Sequence, residues 1–197
     1  TGGRALLHVE ELTYAVVLPL PKSVGWRDAY AAVNALLADS LRAVGVPVTI
    51  APPRREQISE GAVCFDAPDE GELLLEGRKL VGSAVWRQGE GYLQHGSLLL
   101  RDRQELLTSA AEVPLPAVPP AASLSDVFSS DTLPMILTQF KAAVADSLAT
   151  WAPWPDCRAA AHTGRATVSA FEPDPALCDA IDQQSTRFSS VDWLWRR

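Results

Sequence analysis

The stretch Glu72-Leu73-Leu74-Leu75-Glu76-Gly77-Arg78-Lys79-Leu80-Val81-Gly82-Ser83-Ala84-Val85-Trp86 decides the fold. Two apolar runs, 72–75 and 79–86, flank Glu76-Gly77-Arg78, the composition of a tight β-hairpin turn. Gln88-Gly89-Glu90-Gly91 makes a second turn, which leads into a third run from Tyr92 to Leu100. The middle of the chain is therefore expected to be a β-meander.

Toward the N-terminus, Leu12 to Leu18 is β-rich and apolar and is stopped by Pro19 and Pro21, which predicts a buried strand. Residues 26–44 carry Ala29, Val33, Leu36, Leu37 and Leu41 at helical spacing and end at Gly45, where glycine relieves left-handed strain. Ala62-Val63-Cys64-Phe65 reads as a short strand, followed by a loop over 66–71. On the C-terminal side, Val113-Pro114-Leu115-Pro116-Ala117-Val118-Pro119-Pro120 can sustain neither helix nor ladder. The chain thus divides into a catalytic core (1–112), an extended connector (113–122) and a mainly helical remainder of the same domain (123–197). Leu133, Ile136, Leu137, Phe140, Val144 and Leu148 predict one helix there, and Asp174-Pro175 opens another as cap and first-turn proline. The fold class is α+β, with helices flanking a largely antiparallel sheet.

With 197 residues, a chain of this size buries about 70% of its unfolded surface, enough for one self-sufficient domain. A net charge of -7, from 17 Lys and Arg against 24 Asp and Glu, argues against nucleic acid, whose binding rests on neutralised phosphates. Arg54, Arg55, Arg78, Arg87, Arg101 and Arg103 supply the only obvious basic surface. Three cysteines without a CxxC pair fit neither a disulfide framework nor a zinc site, so a cytoplasmic location and no metal are expected. No apolar run approaches the ~20 residues of a membrane span. A chain that opens on Thr1 inside a glycine-rich motif is expected to continue upstream, with part of the site there.

Cysteine is the strongest nucleophile among the side chains once ionised, and a nearby cation favours the thiolate. Cys64 beside its loop and Lys79 at a strand start are the candidates for such a pair. Taken singly, Cys64 reads as a small core hydrophobe, as do Cys157 and Cys178, and Lys79 reads as a solvated strand-end lysine. Spacing alone does not bring them together, because a hairpin about Gly77 would set Cys64 opposite residues near Glu90. Gly2-Gly3 and Gly82-Ser83-Ala84 mark places where a backbone or ligand approaches closely, or else ordinary bulges. Neither is a phosphate-binding loop. His95 interrupts an apolar strand and either lines a pocket or is a satisfied core histidine. Asp66, Asp69, Glu70 and Glu72 read as solvated charge in a turn.

Four motifs occur in order: Thr1-Gly2-Gly3-Arg4-Ala5-Leu6-Leu7-His8 with Glu11-Leu12-Thr13-Tyr14; Cys64-Phe65-Asp66-Ala67-Pro68; Gly77-Arg78-Lys79-Leu80-Val81-Gly82-Ser83-Ala84; and Leu93-Gln94-His95-Gly96-Ser97. Together with the tail from Arg187 to Trp193 they resemble the lipoate-protein ligase and octanoyltransferase family. The resemblance implies that family's α+β catalytic fold with a mixed sheet, and an acyl-binding tunnel lined by its glycine-rich and lysine motifs. By matched position it implies substrate-binding roles for Gly2, Gly3, Arg4, His8, Gly82, Ser83, Ala84, His95, Gly96 and Ser97, with Cys64 and Lys79 catalytic. Cys64 in its Cys-Phe-Asp-Ala-Pro context, and Arg4 in place of a third glycine, point to the transferase branch. Val85 departs from the Gln that commonly follows Ala84 there.

The implied reaction moves an octanoyl group from acyl carrier protein, through a Cys64 thioester, to a lysine of a lipoyl domain or glycine-cleavage H protein, with no cofactor. Leu74, Val81, Leu98 and Leu100 are candidates for the acyl sleeve. Two other readings stay open: a ligase that activates lipoate with ATP and Mg, and a non-catalytic module that binds acyl groups or carrier domains.

Overall fold

The computed structural model describes residues 5–53, 64–65, 67–110, 118–152, 154 and 174–188. Its elements are β1 (Glu11–Pro19), α1 (Trp26–Ala43), β2 (Thr49–Ile50), β3 (Leu73–Leu75), β4 (Arg78–Gln88), β5 (Gly91–Leu99), a short α2 (Leu107–Ala110), α3 (Leu133–Thr150) and α4 (Pro175–Phe188). The chain separates into two compact units, Thr1–Ala166 and Thr167–Arg197.

The meander forms as the turns predict. Glu76 and Gly77 both take positive φ, 52° and 76°, which matches the twist of a two-residue hairpin and sets Leu75 opposite Arg78. Gly89-Glu90 closes the second hairpin, with Gln88 opposite Gly91. β1 then lies along β5, giving a sheet of order β1-β5-β4-β3-β2 with every pairing antiparallel. β1 is an edge strand rather than the buried one its composition predicts: half-buried and exposed residues alternate along it. Its outward positions include Ala15 and Val17, the latter 75% exposed, so apolar composition hid the alternation.

One face of the sheet carries the core. Val81, Leu98 and Tyr92 pack with Ala29, Val33, Leu37 and Leu41 of α1 and with Phe140 of α3. Each fully buried Leu or Val in such a layer contributes about 2 kcal/mol. α1 starts where Asp28 accepts a hydrogen bond from the Gly25 N–H (3.1 Å) and ends before Gly45, φ +87°.

A buried polar chain crosses this layer. The Gln94 amide donates to Asn34 Oδ1 (2.8 Å) and to the Tyr14 hydroxyl (3.0 Å), while its oxygen accepts from Tyr92 (2.7 Å). Tyr14 continues to Ser83 Oγ (2.6 Å), and Asn34 donates to the Gly71 carbonyl (2.8 Å). Burial raises the proton affinity of Tyr14, which keeps its phenol in the hydrogen-bonding form. The chain ties α1, three strands and the loop before β3 into one piece.

In the second unit, α4 opens at Pro175, with the Cys178 N–H donating to the Asp174 carbonyl (3.0 Å), in keeping with the cap and first-turn proline. Cys178 is exposed, so it is not the core residue its type predicts. Cys157, the first half of the connector (113–117) and the aromatic tail lie outside the described residues. No helix among the described residues is long and apolar enough to cross a membrane.

Replacing Gln94 by Leu strands the Tyr92 hydroxyl and Asn34 Oδ1 in the core, each costing about 1–3 kcal/mol. Urea unfolding of Gln94→Leu is expected to report a loss of about 3 kcal/mol without change of fold by circular dichroism.

Candidate active site

The opposite face of the sheet is floored by small and polar side chains. Thr13, Ser97 and Gly82 are cross-strand partners, and Ala15, His95 and Ala84 form the next row. Strict alternation would set Lys79 with Val81 and Ser83 on the other side. It does not, because the register shifts: Leu73 pairs with Val81 but Leu74 with Lys79, leaving Leu80 as an extra residue. Leu80 and Val81 both enter the helix-side core, and Lys79 turns to the small-residue face. A bulge commonly re-aims a side chain in this way.

Lys79 is 3% exposed. Its Nζ lies 2.7 Å from Glu72 Oε1, donates to the Cys64 carbonyl (2.7 Å) and stands 4.0 Å from Cys64 Sγ. The Phe65 ring is 5.2 Å from the same nitrogen, a cation-π contact. Glu72, itself 2% exposed, also accepts the Asp69 N–H (2.8 Å) through Oε2. Burial raises the Glu72 carboxyl above its ordinary value, and that effect outweighs the lowering by Lys79. The solvated-turn reading of Glu72 is thus overturned, as is the solvated reading of Lys79. Glu72 was recoverable from the hairpin: with Leu74 opposite Lys79, the residue two before Leu74 shares its face.

Cys64 sits in a turn and not in a strand, while 62 and 63 lie outside the described residues. Two anchors hold the turn. Phe65 is 2% exposed against Leu99 and Ala121, and the Cys64 N–H donates to the Ala5 carbonyl (2.8 Å). Gly82 makes room for the arrangement, since a Cβ there would stand 3.1 Å from Lys79 Cε and 3.2 Å from the Phe65 ring. The close approach expected at this glycine is therefore to the site's own side chains.

A cleft of about 770 Å³ opens over this face. It is lined by Cys64, Lys79, His8, Gly82, Ser83, Ala84, His95, Gly96 and Ser97, together with Glu72, Asp69 and Leu6 among others. Every described residue of the candidate catalytic and substrate-binding sets thus borders one cavity, while Gly2, Gly3 and Arg4 lie outside the described residues. His95 is exposed on the cleft floor, not a core histidine. At the rim, His8 Nδ1 meets Glu11 Oε1 (2.6 Å), which also accepts from Ser97 (3.1 Å).

The candidate sleeve is not there. Val81 and Leu98 face the helices around a void of about 20 Å³ with Leu12, Leu37, Leu41 and Phe140, and Leu100 packs on the same core. Leu74 is buried without lining the cleft. Among the described arginines of the expected basic surface, Arg101 and Arg103 both clamp Glu10 (2.7 Å each), Arg78 pairs with Asp126 (2.8 Å), and Arg87 is exposed and donates to the Gly89 carbonyl (3.4 Å). Arg54 and Arg55 lie outside the described residues.

The sheet with helices on one face is the fold of the lipoate-protein ligases. A crystal structure of lipoate-protein ligase A bound with ATP superposes with a TM-score of 0.50 at 16% identity, over 71% of this chain and 51% of the other. A bipartite lipoate protein ligase from Thermoplasma acidophilum does so with a TM-score of 0.50 at 14% identity, over 71% and 52%. A model of the lipoyl protein ligase A/B catalytic domain matches residues 1–149, and the chain belongs to that family. Relatives named octanoyltransferase LipM include those of Geobacillus kaustophilus (41% identical over 125 residues, 58% of this chain and 44% of the relative) and Moorella thermoacetica (44% over 123 residues, 60% and 45%). The LipM of Exiguobacterium sp. is 29% identical over 213 aligned positions, covering 100% of this chain and 72% of the relative. The match to the first two spans less than half of their length.

Lys79→Met would leave the Glu72 carboxylate buried without its cation, a loss of about 3–5 kcal/mol when it is ionised. A folded-state carboxyl raised above 4.5 stabilises the fold most at low pH, and that contribution is lost as pH rises through the raised value. Without Lys79 the carboxyl rises further. The thermal midpoint of Lys79→Met, measured from pH 4 upward, is therefore expected to fall with pH more steeply than that of the unsubstituted protein.

Proposed function

We propose that the chain is the catalytic part of an octanoyltransferase, which moves an octanoyl group from an acyl carrier protein thioester to a lysine of a lipoyl domain or H protein. The observation that carries this reading is the Lys79 ammonium 4.0 Å from Cys64 Sγ at the wall of a cleft floored by small residues. A cation at that range favours thiolate over thiol, and the thiolate is the attacking species.

The chemistry runs in two displacements. Cys64 sulfur attacks the donor carbonyl, a new carbon-sulfur bond forms, and the donor's sulfur leaves and takes up a proton. The amine of the acceptor lysine then attacks the Cys64 thioester, loses a proton, and Cys64 leaves as thiolate. Splitting the transfer in this way lets two bulky carrier proteins use one cleft in turn. Gly82, Ala84 and Ala15 leave the floor low enough for an extended chain, with Ser97 and His95 bordering it. The names of the LipM relatives support the octanoyl group, and no added cofactor is required.

Intact-mass measurement after incubation with octanoyl carrier protein is expected to show one octanoyl adduct, absent in Cys64→Ala. Absence of an adduct on the unsubstituted protein, or its survival in Cys64→Ala, would overturn the proposal. Transfer of free lipoate only when ATP is present would place the chain with the ligases instead.

A further inference from the structure

Glu72 is a buried ionisable group to which the two displacements assign no task. Yet the first displacement has a gap that it fits. Cys64 must lose a proton before it attacks, and an ammonium, which already carries its full set of protons, cannot take up another. What an ammonium can do is pass a proton on from one side while receiving one from the other. Lys79 Nζ is placed for that, with Glu72 Oε1 at 2.7 Å on one side and Cys64 Sγ at 4.0 Å on the other. The Asp69 N–H fixes the second carboxylate oxygen at 2.8 Å, so the acceptor is oriented.

We infer that Glu72 is the proton acceptor for Cys64, reached through Lys79, so that the pair is in fact a Cys-Lys-Glu relay. The inference rests on the reading of Cys64 as the acylated nucleophile. The Cys64 S–H bond breaks as a proton joins Nζ, and a different Nζ proton passes to Glu72 Oε1. Thiol, ammonium and carboxylate become thiolate, ammonium and carboxylic acid, and the net charge of the trio is zero before and after. When the donor's carbon-sulfur bond breaks, the proton returns by the same path to the departing sulfur. Burial, which makes the Glu72 carboxyl hold protons more tightly than usual, suits it to this exchange. Among the described residues, the other titratable groups that feel Glu72 are Asp69 on its own loop, Tyr30 of α1 and Tyr14 of β1. Burial raises both phenols further from neutrality, and neither can substitute as acceptor.

Two rates measured on the full chain test the relay: octanoyl transfer from carrier protein onto Cys64, followed by mass, and Cys64 alkylation by iodoacetamide as a function of pH. In Glu72→Gln, acylation measured below the alkylation midpoint, where the thiol must still give up its proton, is expected to slow on the order of a hundredfold with the donor's KM unchanged. The alkylation midpoint is expected to move to lower pH, because the ammonium's pull on sulfur is no longer opposed by a carboxylate. A purely structural role would slow both reactions and leave the midpoint in place. Glu72→Asp, which keeps the charge on a shorter stem, is expected to fall between the two proteins in both measurements, and it carries the test if Glu72→Gln does not fold. Acylation of either folded variant at the unsubstituted rate, or a midpoint unchanged or raised, overturns the relay. Failure of the unsubstituted protein to form an adduct would instead count against the transferase reading, and the alkylation series, which needs no donor, still decides whether Glu72 governs the sulfur.

Discussion

A lysine buried to 3% exposure stays charged only with a counter-ion and with acceptors for its protons. Glu72 supplies the counter-ion, the Cys64 carbonyl supplies an acceptor, and the sulfur stands at the edge of range. Much of the structure around the cleft can be understood as what that requirement imposes. The loop before β3 must return Glu72 to the sheet, the turn at Cys64 must be held by Phe65, and β4 must bulge to present Lys79 on the correct side.

The sheet accordingly divides its labour between faces. On the helix side, large apolar residues and the Gln94 network supply stability, and Asn34 reaches from α1 to fix the carbonyl of Gly71, the residue before Glu72. On the other side, side chains shrink to Gly82, Ala84 and Ala15, and a cavity opens beside a small apolar cluster of Phe65, Leu99 and Ala121. Tyr14 and Ser83 join the two, since both belong to the polar chain and both border the cleft. Stability and chemistry are thus linked through hydrogen bonds at Gly71 and Ser83 rather than through shared apolar packing.

The fold was legible where local signals act alone. Glu76-Gly77 and Gly89-Glu90 set the meander, and the spacing of Val33, Leu37 and Leu41 set α1, because turn chemistry and helical period need no distant partner. The resemblance carried in the motifs also marked residues that border one cleft. What sequence hid was directional. A single inserted residue at Leu80 reversed the face of Lys79, which no alternation pattern reveals. The same blindness sent Val81 and Leu98 to the sleeve when both belong to the core, and Glu72 to solvent because acidic residues near glycine usually lie there. β1 appeared buried because two of its outward positions, Ala15 and Val17, are apolar.

In the proposed reaction the Lys79 charge governs the reactivity of the Cys64 sulfur. The most direct test of this control compares the pH dependence of iodoacetamide alkylation at Cys64 in the unsubstituted protein and in Lys79→Gln, which keeps a hydrogen-bonding side chain but removes the cation. The midpoint in Lys79→Gln is expected to lie at least about one pH unit higher, since an opposite charge is lost at close range. Coincident midpoints in two folded proteins would contradict it.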